Sequence, residues 1–266
     1  MTGQSRKRVV LKFGTGVLTL GVGQLHEERI GRLCSYIKGW IDAGYQAIVV
    51  SSGSVGLGMG VLKLTERPND MPTLQACAAI GQSDLVDIWK REMGRNGVTI
   101  AQVLLTRENL DCKNRYAGVQ DTLEKLIACG VVPVINENDT VSTEEIKFGD
   151  NDVLSALVAA LVGAEKLILL STIEGLKTNH GEGKLVPAVK EITPEIEALA
   201  GDTRSKTAVG GMVSKLQAAK IAVHVGCGVN IVDGREPQNL ERLLNGEAVG
   251  TFFNPVLSEE KDHSEN

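Results

Sequence analysis

Residues 9–16 read VVLKFGTG, a short run of apolar residues that passes into glycines. Five more apolar runs follow along the chain, and Gly, Ser or Asn comes after each. Runs of this kind, apolar on both faces, are typical of buried strands in a parallel sheet. We therefore predict strands at residues 9–13, 47–51, 99–105, 131–136, 166–171 and 229–232.

Segments with helical period separate these strands, at residues 26–42, 73–95, 115–128, 152–162 and 211–225. Strand and helix in alternation predict an α/β fold with an open sheet and right-handed crossovers. Two stretches break the alternation: residues 141–148 are predicted to form a short hairpin and residues 178–184 a turn-rich loop. Because neither has the composition of a linker, we expect one continuous sheet in two lobes.

Composition excludes several classes of protein. The chain has 266 residues, 42% hydrophobic residues and a net charge of -5, so it has no global basic field for duplex nucleic acid. Nine aromatic residues (4 Phe, 3 Tyr, 2 Trp) are too few for a stacking platform on single strands. No run of about 18 apolar residues is present, so we expect no membrane span. Residues 258–266, SEEKDHSEN, are predicted to be a disordered tail.

The cysteines and histidines indicate no disulfide framework and no metal site. Five cysteines lie far apart without a C-x-x-C pair, which favours a reducing cytoplasm. Four dispersed histidines form no metal-spaced cluster, so no metal ligand is predicted, and a G-x-S-x-G elbow is missing. Hydrolase and zinc-enzyme functions are therefore disfavoured.

Polar and glycine-rich residues follow the predicted strands, at the edge where open α/β sheets bind ligands. Lys12 lies inside an apolar strand, where its ammonium either reaches solvent or faces an anion; the glycines after it favour the anion. Residues 53–60, GSVGLGMG, either let the backbone approach an anion or form a flexible turn. No Walker loop or dinucleotide fingerprint is present.

Two predicted helix N-termini contain further candidate site residues. The sequence GDND at residues 149–152 precedes an apolar helix. Asp150 or Asn151 could be a simple N-cap, but three consecutive polar side chains exceed what one cap requires. Lys215 lies in the first turn of another predicted helix, where it opposes the helix dipole unless both share an anion. It is either a phosphate ligand or a solvated lysine.

Six segments together resemble the amino acid kinase family, and the pairing of INEND with GDND is typical of its branch that acts on glutamate. They are VVLKFGTGVLT (9–19), SSGSVGLG (51–58), QACAAIGQ (75–82), VPVINENDTV (132–141), IKFGDNDVLSALVA (146–159) and GGMVSKLQAAKIA (210–222). The resemblance implies an open, mostly parallel eight-stranded sheet sandwiched between helices, in a kinase domain over residues 1–257.

The resemblance also implies an activity. It is the ATP- and Mg²⁺-dependent phosphorylation of the γ-carboxylate of L-glutamate to L-glutamyl 5-phosphate, the first step of proline biosynthesis. It implies a cytoplasmic homo-oligomer, proline as a possible feedback inhibitor and glutamate-5-semialdehyde dehydrogenase as a possible partner. Many relatives carry a C-terminal PUA domain, for which this chain is too short.

Carried over by position, the resemblance implies roles for residues in three groups. The catalytic group is Lys12, Lys215 and Asp152, the last orienting both lysines. The glutamate-binding group is Ser52, Gly53, Asn136, Asp139, Asp150 and Asn151. The ATP-binding group is Lys12, Ser171, Thr172, Val209, Gly210, Gly211, Met212, Val213, Ser214 and Lys215.

Two departures and two alternatives accompany this hypothesis. The family usually has Thr-Asp at Ser171 and Thr172, and Thr at Val209, so the nucleotide side is where this chain differs. A sibling kinase acting on acetylglutamate, aspartate or carbamate is one alternative, although Asp139 suits a free α-ammonium. An inactive nucleotide- or amino-acid-binding regulatory protein is the other, but such a protein would have no need for two lysines held by one carboxylate.

Overall fold

The computed structural model describes residues 7–142, 151–201 and 211–256. Its strands are β1 (Arg8–Phe13), β2 (Thr19–Gly21), β3 (Gln24–Leu25), β4 (Gln46–Ser51), β5 (Ile100–Leu105), β6 (Val132–Glu137), β7 (Lys166–Ser171), β8 (Ala188–Val189), β9 (Gly228–Asp233) and β10 (Thr251–Phe253). Its helices are α1 (Thr15–Leu18), α2 (Glu27–Asp42), α3 (Ser54–Val61), α4 (Met71–Arg95), α5 (Arg107–Asp111), α6 (Lys113–Ala128), α7 (Asn151–Val162), α8 (Pro194–Ala198), α9 (Met212–His224) and α10 (Asn239–Leu244), with a 3₁₀ turn at Asn179–Gly181.

Eight of these strands form one sheet in the order β5-β6-β4-β1-β7-β9-β10-β8. All neighbours are parallel except β9 and β10. Strand β1 lies near the centre, between β4 and β7. The predicted fold class and all six predicted strands are confirmed, each strand to within one residue of its bounds.

Apolar side chains from the sheet form two cores, one on each face. Val9, Leu11 and Phe13 of β1 pack on one face with buried residues of α2 and α4. Val10 packs on the other face with buried residues of α6, α7 and α9. Since successive side chains of a strand alternate between faces, Lys12 shares the face of Val10. The strand therefore directs this lysine toward α7 and α9.

Helix α3 corrects one expectation. Residues 53–60 are predicted from the sequence as a flexible turn or an anion-binding loop, but Gly53 is the N-cap of a helix over Ser54–Val61 that packs closely on α4. A Cβ on Gly58 would lie 1.9 Å from the carbonyl oxygen of Cys77, and one on Gly81 would lie 1.9 Å from that of Ser54. The glycines of this region thus permit close contact between two helices.

Other predictions fall partly or wholly outside the described residues. The predicted hairpin at residues 141–148 is described only at Val141 and Ser142, which belong to no strand. The predicted tail at residues 258–266 lies wholly outside. The turn-rich loop at residues 178–184 contains the 3₁₀ turn and is closed by a bridge between Lys177 and Leu185. Among the described helices, none is long and apolar enough to cross a membrane.

Candidate active site

Three charged side chains from distant parts of the chain meet at the carboxyl edge of β1. The Nζ of Lys12 lies 2.6 Å from Oδ1 of Asp152, and the Nζ of Lys215 lies 2.9 Å from Oδ2 of the same carboxylate. Asp152 has no exposed surface, and the two lysines are 4% and 3% exposed. The predicted convergence of two ammonium groups on one carboxylate is present in the structure.

Each charge is positioned by a different element. Lys12 is carried by β1, Asp152 by the first turn of α7 and Lys215 by the first turn of α9. Helices α7 and α9 pack against each other, which brings their N-terminal turns together. Burial alone would raise the pKa of Asp152, but Lys12 and Lys215 lower it below its usual value. The carboxylate is therefore ionised, and the three groups together carry a net positive charge.

A network of amide and hydroxyl groups lies beside this centre. The Nδ2 of Asn151 donates to Oγ of Ser52 at 2.8 Å, to Oδ1 of Asn136 at 2.8 Å and to the carbonyl oxygen of Ser51 at 2.9 Å. The buried Oδ1 of Asn151 has no hydrogen-bond partner among the described residues. This network joins the ends of β4 and β6 to the start of α7 and leaves one amide oxygen available to a ligand.

The network continues to Asp139 through residues for which the sequence predicted no role. Asn136 donates to Oε1 of Gln82 at 2.8 Å and to Oγ of Ser54 at 3.4 Å, and Ser54 donates to Asp139 at 3.4 Å. Both new residues fall in segments already quoted, Ser54 in SSGSVGLG and Gln82 at the end of QACAAIGQ. The sequence could have indicated both, because each is a polar residue next to a glycine in the segments that form the close contact between α3 and α4.

Two clefts open from this centre. The first cleft has a volume of about 630 Å³, and its lining includes Lys12, Lys215, Ser52, Gly53, Asn136, Asp139 and Asn151. The second cleft has a volume of about 480 Å³, and its lining includes Ser171, Thr172, Gly211 and Met212. Ser171 and Thr172 belong to both linings, so the clefts adjoin. Most predicted site residues therefore line one of two neighbouring spaces.

The remaining predicted residues either line neither cleft or lie outside the described part of the chain. The hydroxyl of Ser214 donates to Oδ2 of Asp152 at 3.1 Å, so it supports the charged centre. Val213 lies in the first turn of α9 and lines neither cleft. Asp150, Val209 and Gly210 lie outside the described residues.

The start of α9 can receive an anion. Its N-cap residue, Gly211, has no side chain, and no side chain of the described residues donates or accepts a hydrogen bond that caps the helix. The N–H groups of a first helical turn have no partners within the helix, and they favour negative charge. With Lys215 in that turn and the second cleft at its N-terminus, the arrangement suits a phosphate chain.

The structure offers little for a protein-bound metal. Within residues 7–142, 151–201 and 211–256, no three His, Cys, Asp or Glu side chains are grouped to hold a metal ion. All five cysteines are described, and all are free thiols. A Mg²⁺ ion that arrives with nucleotide phosphates needs only one or two protein ligands, so this arrangement fits such an ion.

Comparison with known proteins defines the class. Residues 7–233 match the amino acid kinase family, and the chain belongs to that family. A solved carbamate kinase from Giardia lamblia, bound to AMP-PNP, has the same fold, with a TM-score of 0.68, 19% identity and coverage of 95% of this chain and 99% of that one.

More similar relatives are named glutamate 5-kinase. The protein from Moorella thermoacetica is 46% identical over 253 residues, which cover 94% of this chain and 67% of the relative. The protein from Myxococcus xanthus is 44% identical over 259 residues, which cover 96% and 68%. This chain thus spans about two thirds of the length of each.

Proposed function

We propose that this chain transfers the γ-phosphoryl group of ATP to the γ-carboxylate of L-glutamate, forming L-glutamyl 5-phosphate for proline biosynthesis. The observation that carries the proposal is the buried pair of lysines on Asp152, at the junction of two clefts. The identity of 42–46% to several glutamate 5-kinases supports the choice of glutamate within the family.

The chemistry of this reaction explains why the site contains ammonium groups and no catalytic histidine. A side-chain carboxylate with a pKa of about 4.3 is already ionised at neutral pH, so no base is needed. The obstacle is repulsion between this anion and the phosphates of the nucleotide. Lys12 and Lys215 lower that repulsion and stabilise the charge of the group in transfer.

Asp152 acts through the two lysines. With one oxygen on each ammonium group, it fixes their separation before the substrates arrive, so the transition state requires no reorganisation of these charges. Asp152 is fully buried and does not line the first cleft, which indicates a positioning role.

The first cleft supplies the groups that suit glutamate. Ser52, Gly53, Asn136 and Asn151 present amide, hydroxyl and backbone groups beside the lysines, and Asp139 presents a carboxylate to the α-ammonium group. An acetylated amine would lack that charge, so Asp139 favours free glutamate over acetylglutamate. A role for Asp150 remains a prediction from sequence.

The second cleft suits the nucleotide. Ser171, Thr172, Gly211 and Met212 line it, and the uncapped start of α9 faces the phosphates together with Lys215. Mg²⁺ bound to those phosphates supplies further positive charge. Roles for Val209, Gly210 and Val213 remain predictions.

Several finer expectations rest on the resemblance, and the first of them also on the five dispersed cysteines. These are a cytoplasmic location, a homo-oligomer, feedback inhibition by proline and transfer of the product to glutamate-5-semialdehyde dehydrogenase. Because acyl phosphates hydrolyse readily, the product requires a reductase or another enzyme that consumes it promptly.

Hydroxylamine trapping tests the proposal. Purified protein with ATP, Mg²⁺ and L-glutamate is expected to form the γ-hydroxamate. Trapping with aspartate, N-acetylglutamate or carbamate alone would assign the chain to a sibling activity. Nucleotide binding without product from any of these acceptors would indicate a binding protein.

A further inference from the structure

The charges that line the first cleft include two, Glu137 and Arg67, that the proposed mechanism does not use. Within the described residues, the charged side chains lining this cleft are Lys12, Lys215, Arg67, Glu137 and Asp139. The two lysines share Asp152. Asp139 accepts a hydrogen bond from Ser54, and Glu137 accepts one from Ser142. Arg67 remains to be explained.

Arg67 is an exposed guanidinium group at the rim of this cleft. No hydrogen bond or ion pair of Arg67 occurs within residues 7–142, 151–201 and 211–256. It lies in residues 62–70, which connect α3 to α4, and Thr65 of the same connection also lines the cleft. An unpaired guanidinium beside an anion site is available to bind a carboxylate through two parallel hydrogen bonds.

The connection that carries Arg67 is anchored at both ends. The N–H of Leu64 donates to the carbonyl oxygen of Met59, the last buried residue of α3. Asp70 caps α4 by accepting from the N–H of Thr73 at 2.9 Å. Since α3 and α4 pack closely, the backbone near Arg67 is held while its side chain stays free to reach into the cleft.

The charges of the substrate complete the argument, which rests on the proposed function. L-glutamate carries three ionised groups. Its γ-carboxylate must lie beside Lys12 and Lys215 to react, and its α-ammonium group is suited to Asp139. The α-carboxylate then needs a cation that the reaction centre does not use. We propose that Arg67 binds the α-carboxylate of glutamate and so selects acceptors that carry this group.

This role makes a specific kinetic prediction. Arg67→Gln is expected to raise the KM for L-glutamate by about 10- to 100-fold, because a charge-assisted hydrogen-bonded pair is lost. Arg67 would bind the α-carboxylate equally well in the ground state and the transition state. Its loss should therefore leave kcat within about threefold and the KM for ATP unchanged. Arg67→Lys should restore part of the affinity. Lys63→Gln removes a positive charge from the same connection away from the cleft and is the matched control.

Two analogues distinguish recognition of the α-carboxylate from a general change in the cleft. Glutarate keeps both carboxylates and lacks the ammonium group, whereas 4-aminobutyrate keeps the ammonium group and lacks the α-carboxylate. In competition with L-glutamate, Arg67→Gln should weaken inhibition by glutarate and leave that by 4-aminobutyrate unchanged. Equal weakening of both analogues would overturn the assignment.

The outcomes separate this inference from the proposed function. An active wild-type enzyme with an unchanged KM for L-glutamate in Arg67→Gln would overturn the role of Arg67 and leave the kinase activity in place. A wild-type protein that forms no hydroxamate from L-glutamate would overturn the proposed function, and the role of Arg67 with it.

Discussion

Lys12 and Lys215 each place an ammonium group against the carboxylate of Asp152, but one lysine lies in a strand and the other in a helix. Lys12 lies in β1, which is hydrogen-bonded to β4 on one side and to β7 on the other. Lys215 lies in the first turn of α9, which is held by its packing against α7 and the sheet. The sheet therefore fixes Lys12 through the backbone, whereas Lys215 depends on the contacts of a helix.

The two regions also differ in their electrostatics. Asp152 lies in the first turn of α7, where the helix dipole favours a negative charge. Lys215 lies in the first turn of α9, where the dipole disfavours a positive charge. Lys12 belongs to a strand and has no such penalty. The comparison shows how a site can hold two like charges. One carboxylate stabilises both lysines, and Lys215, which the helix dipole disfavours, lies where an anionic ligand will bind.

Removal of the shared carboxylate should have the largest effect on stability. Asp152→Asn leaves two buried ammonium groups without their counter-charge, and we expect the free energy of unfolding to fall by about 3–5 kcal/mol. Urea denaturation measures this change. Asp111→Asn, in an exposed pair with Arg107, is the control and should change the value by less than about 0.5 kcal/mol. Equal stability of Asp152→Asn and the wild type would show that the lysines do not depend on this carboxylate.

The two lysines should differ in what their removal does to stability. Lys12→Met and Lys215→Met each leave Asp152 with one of its two lysines, but Lys215→Met also removes a charge that opposes the dipole of α9. We therefore expect Lys215→Met to be the more stable variant, by about 0.3–1 kcal/mol. Urea denaturation of both variants at low ionic strength measures the difference. The reverse order would mean that the helix dipole does not act on Lys215.

Acid should weaken the centre in a predictable direction. Because the lysines hold the pKa of Asp152 below its usual value of 3.8, its ionisation stabilises the fold above that pH. The stabilisation is lost as the pH falls through the lowered pKa of the folded state. Unfolding measured from neutral pH into acid should therefore show the stability gap between the wild type and Asp152→Asn narrowing as the pH falls below about 3.8. A gap that stays constant into acid would contradict this assignment.

The sequence predicted the elements with strong periodicity and left out the short ones. Six strands and five helices follow from apolar patterns of four residues or more, whereas β8 and β10 are two and three residues long and gain their stability from the neighbouring sheet. Helix α3 was missed because glycine lowers intrinsic helix propensity. Its glycines are needed for contact with α4, and this tertiary reason is invisible in a local pattern.

The charged centre could be predicted from the sequence, whereas the amide and hydroxyl network around it could be predicted only in part. Lys12, Asp152 and Lys215 stand out because each is a charge beside an apolar segment. Ser54, Gln82 and Arg67 do not, since polar residues on helices and in the connections between them are common. Their importance depends on how α3, α4 and β6 meet, which requires the three-dimensional structure.

The central claim is that Lys12 and Lys215 act together on the phosphoryl group in transfer. The direct test is the rate of hydroxamate formation by Lys12→Met, Lys215→Met and the double variant under saturating substrates. Each single substitution should lower kcat by about 10²- to 10³-fold, and the double variant should be far less impaired than the product of the two losses. Either single variant with wild-type kcat would contradict the claim.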